Sequence, residues 1–162
     1  MIHAMLTSIV MRPATEADAE WIVSQVPRLH EFGPPPWRTI EQMNAGEIAD
    51  LRGALSRGDD PDRLFIIAQH SEGAPLGFLY AVTLTDFFTG ERHAHIGDIV
   101  VAREGEGQGV GRALMNAAET WSRSRGHRFV TLSVFPDNTR AFELYGRLGF
   151  QIDAHRMLKL LP

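Results

Sequence analysis

Apolar residues recur at two different spacings along this chain, and the switches between them mark its elements. Ser8 to Arg12 reads as a short first strand. Thr15 is placed to cap a helix whose first turns carry Glu16, Asp18 and Glu20, where the helix dipole favours acids. Trp21, Ile22, Val26 and Leu29 form its apolar stripe, and Pro27 must bend or end it early. Phe32-Gly33-Pro34-Pro35-Pro36-Trp37 is a stiff loop. A second helix is predicted from Thr39 to about Arg57, broken by Gly58-Asp59-Asp60-Pro61. Leu64 to Ala68 and Leu76 to Leu84 read as a hairpin around the turn Ser71-Glu72-Gly73-Ala74-Pro75. Thr85 to His93 reads as a loop, and His95 to Val101 as the next strand.

The spacing then becomes helical. After Gly105, Gly107, Gly109 and Gly111, the residues Val110, Leu114, Ala117, Ala118 and Trp121 fall on one helical face, and Gly126 ends the helix. Phe129 to Phe135 is predicted as a strand. Asp137 or Asn138 opens another helix that Gly149 closes, and Phe150 to Leu160 supplies a last strand or two. The order β-α-α-β-β-β-α-β-α-β puts antiparallel strands before a strand-helix-strand crossover. That is a mixed α/β sheet with helices on both faces.

Composition narrows the picture. The 162 residues, 44% hydrophobic and 22% charged, suit one globular domain over residues 1–162. A net charge of −4 argues against nucleic acid as a partner. With no cysteine there is no disulfide scaffold, thiolate metal site or cysteine nucleophile. Met1-Ile2-His3-Ala4-Met5-Leu6 lacks a basic leader, Met5 and Met11 are alternative starts, and no run of about 18 apolar residues occurs. A cytoplasmic location and no membrane partner are expected by default.

The most informative stretch is Ile99-Val100-Val101, a short loop, then Glu106-Gly107-Gln108-Gly109-Val110-Gly111-Arg112-Ala113. A strand runs into a glycine loop that opens a helix. The first amides of a helix have no intrahelical acceptor and carry partial positive charge, so they suit phosphates. Glycine lets a phosphate approach the backbone, although such glycines can also serve only to shape a tight turn. No Gly-x-x-x-x-Gly-Lys-Ser/Thr run is present. The dinucleotide pattern Gly-x-Gly-x-x-Gly fails from Gly107, where the sixth position is Arg112, and from Gly105, where it is Val110.

The loop resembles the pyrophosphate loop of GNAT acetyltransferases, Arg/Gln-x-x-Gly-x-Gly/Ala, with Gly109 and Gly111 matching. Glu106 departs from that pattern. A carboxylate beside a pyrophosphate is unfavourable unless it points to solvent or pairs with Arg103 or Arg112. Asn138-Thr139-Arg140-Ala141-Phe142-Glu143-Leu144-Tyr145-Gly146-Arg147-Leu148-Gly149-Phe150 resembles the family's second motif, Asn-x-x-Ala-x-x-x-Tyr-x-x-x-Gly-Phe. Asn138, Ala141 or Phe142, and Tyr145 share one helical face. The likeness is strong from Asp98 to Phe150 and looser over Met11 to Asp18. It implies a GNAT-like, mostly antiparallel sheet with strands splayed at a cofactor cleft, and acetyl-CoA as co-substrate. The expected cofactor residues are Ile99, Val100 and Val101 along the pantetheine arm, Gly107, Gln108, Gly109, Val110, Gly111 and Arg112 at the pyrophosphate, and Asn138 and Phe142. It also implies N-acetyltransferase activity toward a small-molecule or protein amine. Homodimers are common in that family, so a second copy is a candidate partner.

Direct attack in a ternary complex then needs three groups. A neutral amine must form from an alkylammonium of pKa near 10. By the resemblance, a backbone N–H near Val100 or Val101 would stabilise the oxyanion. Tyr145, by the same resemblance, would donate a proton to the leaving thiolate. Asp98 and His95 are both candidates for the base. Three residues apart, they face opposite sides of a regular strand unless a bulge intervenes. Asp98 is equally readable as a structural carboxylate, and a water-mediated base stays open. His93 and His95 lack a third ligand in view, so no metal is expected. Phe32, Trp37, Phe87 and Phe88 are candidates to wall an acceptor pocket, with Glu31 and Asp86 attracting a cation; loop packing is the alternative. Two rival functions stay open: a non-catalytic coenzyme A-binding regulatory module, and a nucleotide-binding α/β protein.

Overall fold

A computed structural model describes residues 8–71 and 73–162. The N-terminal stretch Met1 to Leu6, and Glu72 of the first hairpin turn, lie outside the described residues. Five strands follow one another in one sheet: β1 (Ile9–Pro13), β2 (Arg63–His70), β3 (Pro75–Thr85), β4 (Arg92–Val101) and β5 (Val130–Leu132). The first four pair antiparallel, and β5 lies parallel to β4. The predicted loop after β3 shortens, because β4 begins at Arg92.

Strand alternation divides the core in two. Ile66, Ala68, Leu79, Ala81 and Ile96 face α3 (Val110–Ser124), which buries Val110, Leu114, Met115 and Ala118 against them. Ile67, Phe78, Tyr80 and Val100 face the other way, onto α1 (Ala19–Gln25) and α2 (Ile40–Ser56). Thr39 starts α2 with a capping box: its hydroxyl accepts from the Gln42 amide at 3.1 Å, and the Gln42 side chain accepts from the Thr39 amide at 2.9 Å. Pro27 ends α1, and the chain tightens into a 3-10 turn over Val26–His30.

Two irregularities create the opening that matters. The β3–β4 register pairs Tyr80 with Asp98 and Ala81 with Ile96, so Gly97 is an extra residue in β4. This bulge reverses the alternation, placing Asp98 on the α2 side. Second, β5 pairs only with Ala94–Ile96, and β4 runs on to Val101 with that edge free. The strands therefore splay.

Two expectations are corrected here. The strand predicted over Phe129 to Phe135 stops at Leu132. Residues 133–135 leave the sheet to line a cleft, and Phe135 packs on Phe32 at a ring distance of 5.2 Å. The predicted last strand from Phe150 to Leu160 does not form. Phe150 packs on Tyr145 at the end of α4 (Thr139–Arg147), but residues 151–162 are exposed throughout. A strand needs a ladder partner, and the short β5 offers these residues none. Among the described residues, no helix is long and apolar enough to cross a membrane.

Candidate functional site

At the splay a cleft of about 580 Å3 opens between the glycine loop, the Val26–His30 turn and the start of α4. Gly109 caps α3 with φ +79°, in the left-handed region glycine tolerates best. The first bond within that turn runs from the Ala113 amide to the Gly109 carbonyl at 3.0 Å. The amides of Val110, Gly111 and Arg112 thus precede the intrahelical ladder. They and their helix dipole face a cleft also lined by Gly107, Gly109, Asn138, Thr139 and Arg140. Asn138 caps α4, its side chain accepting from the Ala141 amide at 3.2 Å, so the cap role and the cleft position coexist.

Along the free edge of β4, the Val101 carbonyl receives the Arg28 Nε at 2.8 Å. Backbone groups alternate along a strand, so the polar groups of Ile99 share that edge, while those of Val100 turn toward β3. The carbonyl of Val100 indeed crowds Gly77, where an added Cβ would sit 2.6 Å from it. Two expected cofactor residues are placed elsewhere. Gln108 is absent from the cleft wall, its side chain bonding the Glu104 carbonyl, and Phe142 is half exposed and off the wall.

A second cleft of about 170 Å3 adjoins the first. Arg28, Phe32, Ile99, Asn138, Ala141 and Tyr145 line both. Its floor is acidic. Asp98 is buried at 5% exposure, and one carboxylate oxygen each from Asp98, Glu47 and Asp50 lies within 4.8 Å of the others. Burial, then the adjacent Glu47 and Asp50 charges, pushes the Asp98 carboxyl up to about 8. His30, also buried, bonds Asn44 at 2.8 Å and lies 3.8 Å from Glu47. Tyr145 sits where the clefts meet, and burial raises its hydroxyl pKa, keeping the proton on the oxygen.

Folded Asp98 holds a proton that the unfolded chain releases near its ordinary pKa. Rising pH between roughly 4 and 8 therefore favours unfolding, by up to about 1.4 kcal/mol per unit from this group. Thermal melts of the wild type from pH 5 to pH 9 should show a decline that Asp98→Asn flattens. Parallel profiles would mean that Asp98 is ionised when folded.

The bulge leaves Asp98 as the sequence candidate that reaches the cleft. His95 bonds the Thr131 hydroxyl at 2.9 Å, burial lowers its pKa, and it lines neither cleft. His93 stacks on Phe129 at 4.7 Å. Three candidates for the acceptor wall and one for attracting a cation line neither cleft. Phe87 and Phe88 stand 92% and 89% exposed at the β3–β4 turn, and Trp37 lies off both clefts. Asp86 accepts from the Phe88 and Thr89 amides, which caps its own turn. Phe32 remains on both walls and Glu31 on the first.

Sequence reasoning missed Arg28, His30 and Glu47. Glu47 did leave a signal: it follows Met43 by four residues and precedes Leu51 by four, so a charge sits on the stripe that α2 buries. Glu106 pairs with neither Arg103 nor Arg112. It pairs with Arg28, 78 residues away, at 2.5 Å.

The model of the acetyltransferase (GNAT) family matches residues 26–150. A streptothricin acetyltransferase of Streptomyces lavendulae is 32% identical over 95 residues, covering 59% of this chain and 48% of that one. An uncharacterised N-acetyltransferase of Methanocaldococcus jannaschii is 43% identical over 58 residues, covering 36% and 26%. The chain thus spans less than half the length of these curated relatives. Among solved structures, a GCN5-related N-acetyltransferase from Ralstonia eutropha superposes with a TM-score of 0.73 at 21% identity, covering 94% of this chain and 99% of that one. An aminoglycoside N-acetyltransferase in complex with CoA superposes at 0.70 with 18% identity, covering 99% of each chain. These two likenesses establish the fold.

Proposed function

The chain belongs to the GNAT acetyltransferase family, and from that premise we propose that it moves an acetyl group from acetyl-CoA to a primary amine held in the smaller, acidic cleft. One observation carries this reading: a cleft of free helix amides and a buried acidic cleft meet at Tyr145. The amides of Val110, Gly111 and Arg112 hold the diphosphate. The polar groups of Ile99 and the N–H of Val101 on the free edge pair with the pantetheine arm as an added strand would, the Val101 carbonyl staying with Arg28, and those N–H groups are the donors for the oxyanion.

The acceptor enters as a cation, attracted by the carboxylates. Burial keeps Asp98 neutral, as a donor, and Glu47, the more exposed carboxylate on the same cleft wall, accepts the proton of the ammonium. The Tyr145 hydroxyl protonates the departing thiolate. Aminoglycosides, the substrates named for one structural relative, are polyamines, and they belong in the acceptor panel with smaller amines and peptide N-termini.

Incubation of the chain with acetyl-CoA and that panel, followed by release of free thiol, tests the reading. Binding of acetyl-CoA without thiol release from any acceptor would make this a non-catalytic coenzyme A-binding module. Tighter binding of NAD or ATP would make it a nucleotide-binding protein. Tyr145→Phe should lower kcat by roughly 10- to 100-fold with acetyl-CoA affinity nearly unchanged. Equal turnover in that variant would remove the acid role.

A further inference from the structure

Arg28 crosses the mouth of the larger cleft. It stems from the 3-10 turn on the wall opposite the glycine loop, and its side chain is only 16% exposed. Its Nε donates to the Val101 carbonyl at 2.8 Å, one terminal nitrogen to Glu31 at 3.3 Å, and the other to Glu106 at 2.5 Å. Glu31 also receives Arg103 at 3.1 Å. Arg28 holds the Glu106 carboxyl below its usual range, aided by the charges of Arg140 and Arg103.

Glu106 therefore occupies the loop position where the resemblance places a cation or an amide, and the cation stands across the cleft instead. A diphosphate on the amides of Val110 to Arg112 would lie beside an unpaired carboxylate if Arg28 were absent. We propose that Arg28 is a diphosphate-binding residue of this chain, held in readiness by Glu106, whose carboxylate occupies the guanidinium face that a phosphoryl oxygen takes when coenzyme A binds.

This rests on the cofactor reading of the cleft. Guanidinium has five N–H donors in a planar fork that suits carboxylate and phosphate alike. Three are committed in the structure. Arg28 can keep its bond to Val101 and exchange the one to Glu106. A diphosphate carries more negative charge than one carboxylate, so the exchange runs toward the ligand. Glu106 competes with the ligand for Arg28, and its own charge repels the ligand.

The test is calorimetric titration of acetyl-CoA, and of S-acetylpantetheine, which lacks the diphosphate, into the wild type, Arg28→Gln, Arg28→Lys and Glu106→Gln. Arg28→Gln should weaken acetyl-CoA binding about 10-fold or more, with Arg28→Lys between it and the wild type. Glu106→Gln should tighten acetyl-CoA binding severalfold and leave S-acetylpantetheine unchanged. Weaker acetyl-CoA binding by Glu106→Gln, or equal changes for both ligands, would make the pair a structural clasp and overturn the proposal. Wild-type affinity in Arg28→Gln would also overturn it. Absence of acetyl-CoA binding by the wild type would instead remove the cofactor reading, and this inference with it.

Discussion

Gly109→Glu is expected to cut acetyl-CoA affinity by at least about 100-fold, roughly 2.7 kcal/mol. Two effects add. At φ +79° a residue with a Cβ is strained by about 1–2 kcal/mol, which loosens the turn that aims the helix amides. No heavy atom lies within 4 Å of a Cβ built there, so nothing in the fold holds the new carboxylate away from the cleft mouth. A like charge about 5 Å from one phosphoryl charge is unfavourable by about 3 kcal/mol at an effective dielectric near 20. Gly109→Ala separates the two, because it keeps the strain without the charge, and it should lose far less affinity. Titration of both variants, with circular dichroism to confirm folding, gives the comparison. Wild-type affinity in Gly109→Glu would place the diphosphate somewhere other than this loop.

The second large effect is at the acidic pair. Glu47→Gln should lower kcat by roughly 10²- to 10⁴-fold while leaving acetyl-CoA affinity in place. A base must be ionised before it takes a proton, and burial keeps Asp98 protonated up to about pH 8. Glu47 is the more exposed partner, at 28% of its side chain, and lines the cleft that the ammonium enters. Asp98→Asn removes the carboxyl that burial keeps protonated up to about pH 8, so the pH dependence of kcat should change in that variant. Asp98→Asn keeps a donor toward Glu47 and should be the milder lesion. Unchanged turnover in Glu47→Gln would mean that the ammonium proton leaves through water or another group. A rise in KM alone would mean that Glu47 only anchors the cation.

Much of this site lies in short, contiguous runs of sequence, and those were legible. Gly107 to Arg112 announces itself because strand, glycine loop and helix start are neighbours along the chain. Asn138 to Phe150 does so because helical periodicity puts Asn138, Ala141 and Tyr145 on one face. Asp98 was named from the residues around it, but its choice over His95 needed the Gly97 bulge, which depends on pairing with Tyr80 and Ala81. The aromatic residues Phe87 and Phe88 misled because hydrophobicity alone does not say whether a loop tip meets a wall. The C-terminal segment misled because apolar content does not supply a ladder partner.

Local periodicity and a glycine loop beside a helix were enough to read the mixed sheet, its two packed faces and the exposed amides at the start of α3 from the chain alone. Which charges face one another emerges from the folded arrangement alone. Arg28 meets Glu106 and Glu47 meets Asp98 across 78 and 51 residues of chain. The sign and protonation of a group in a cleft depend on neighbours that arrive through space, and burial sets how strongly those neighbours are felt.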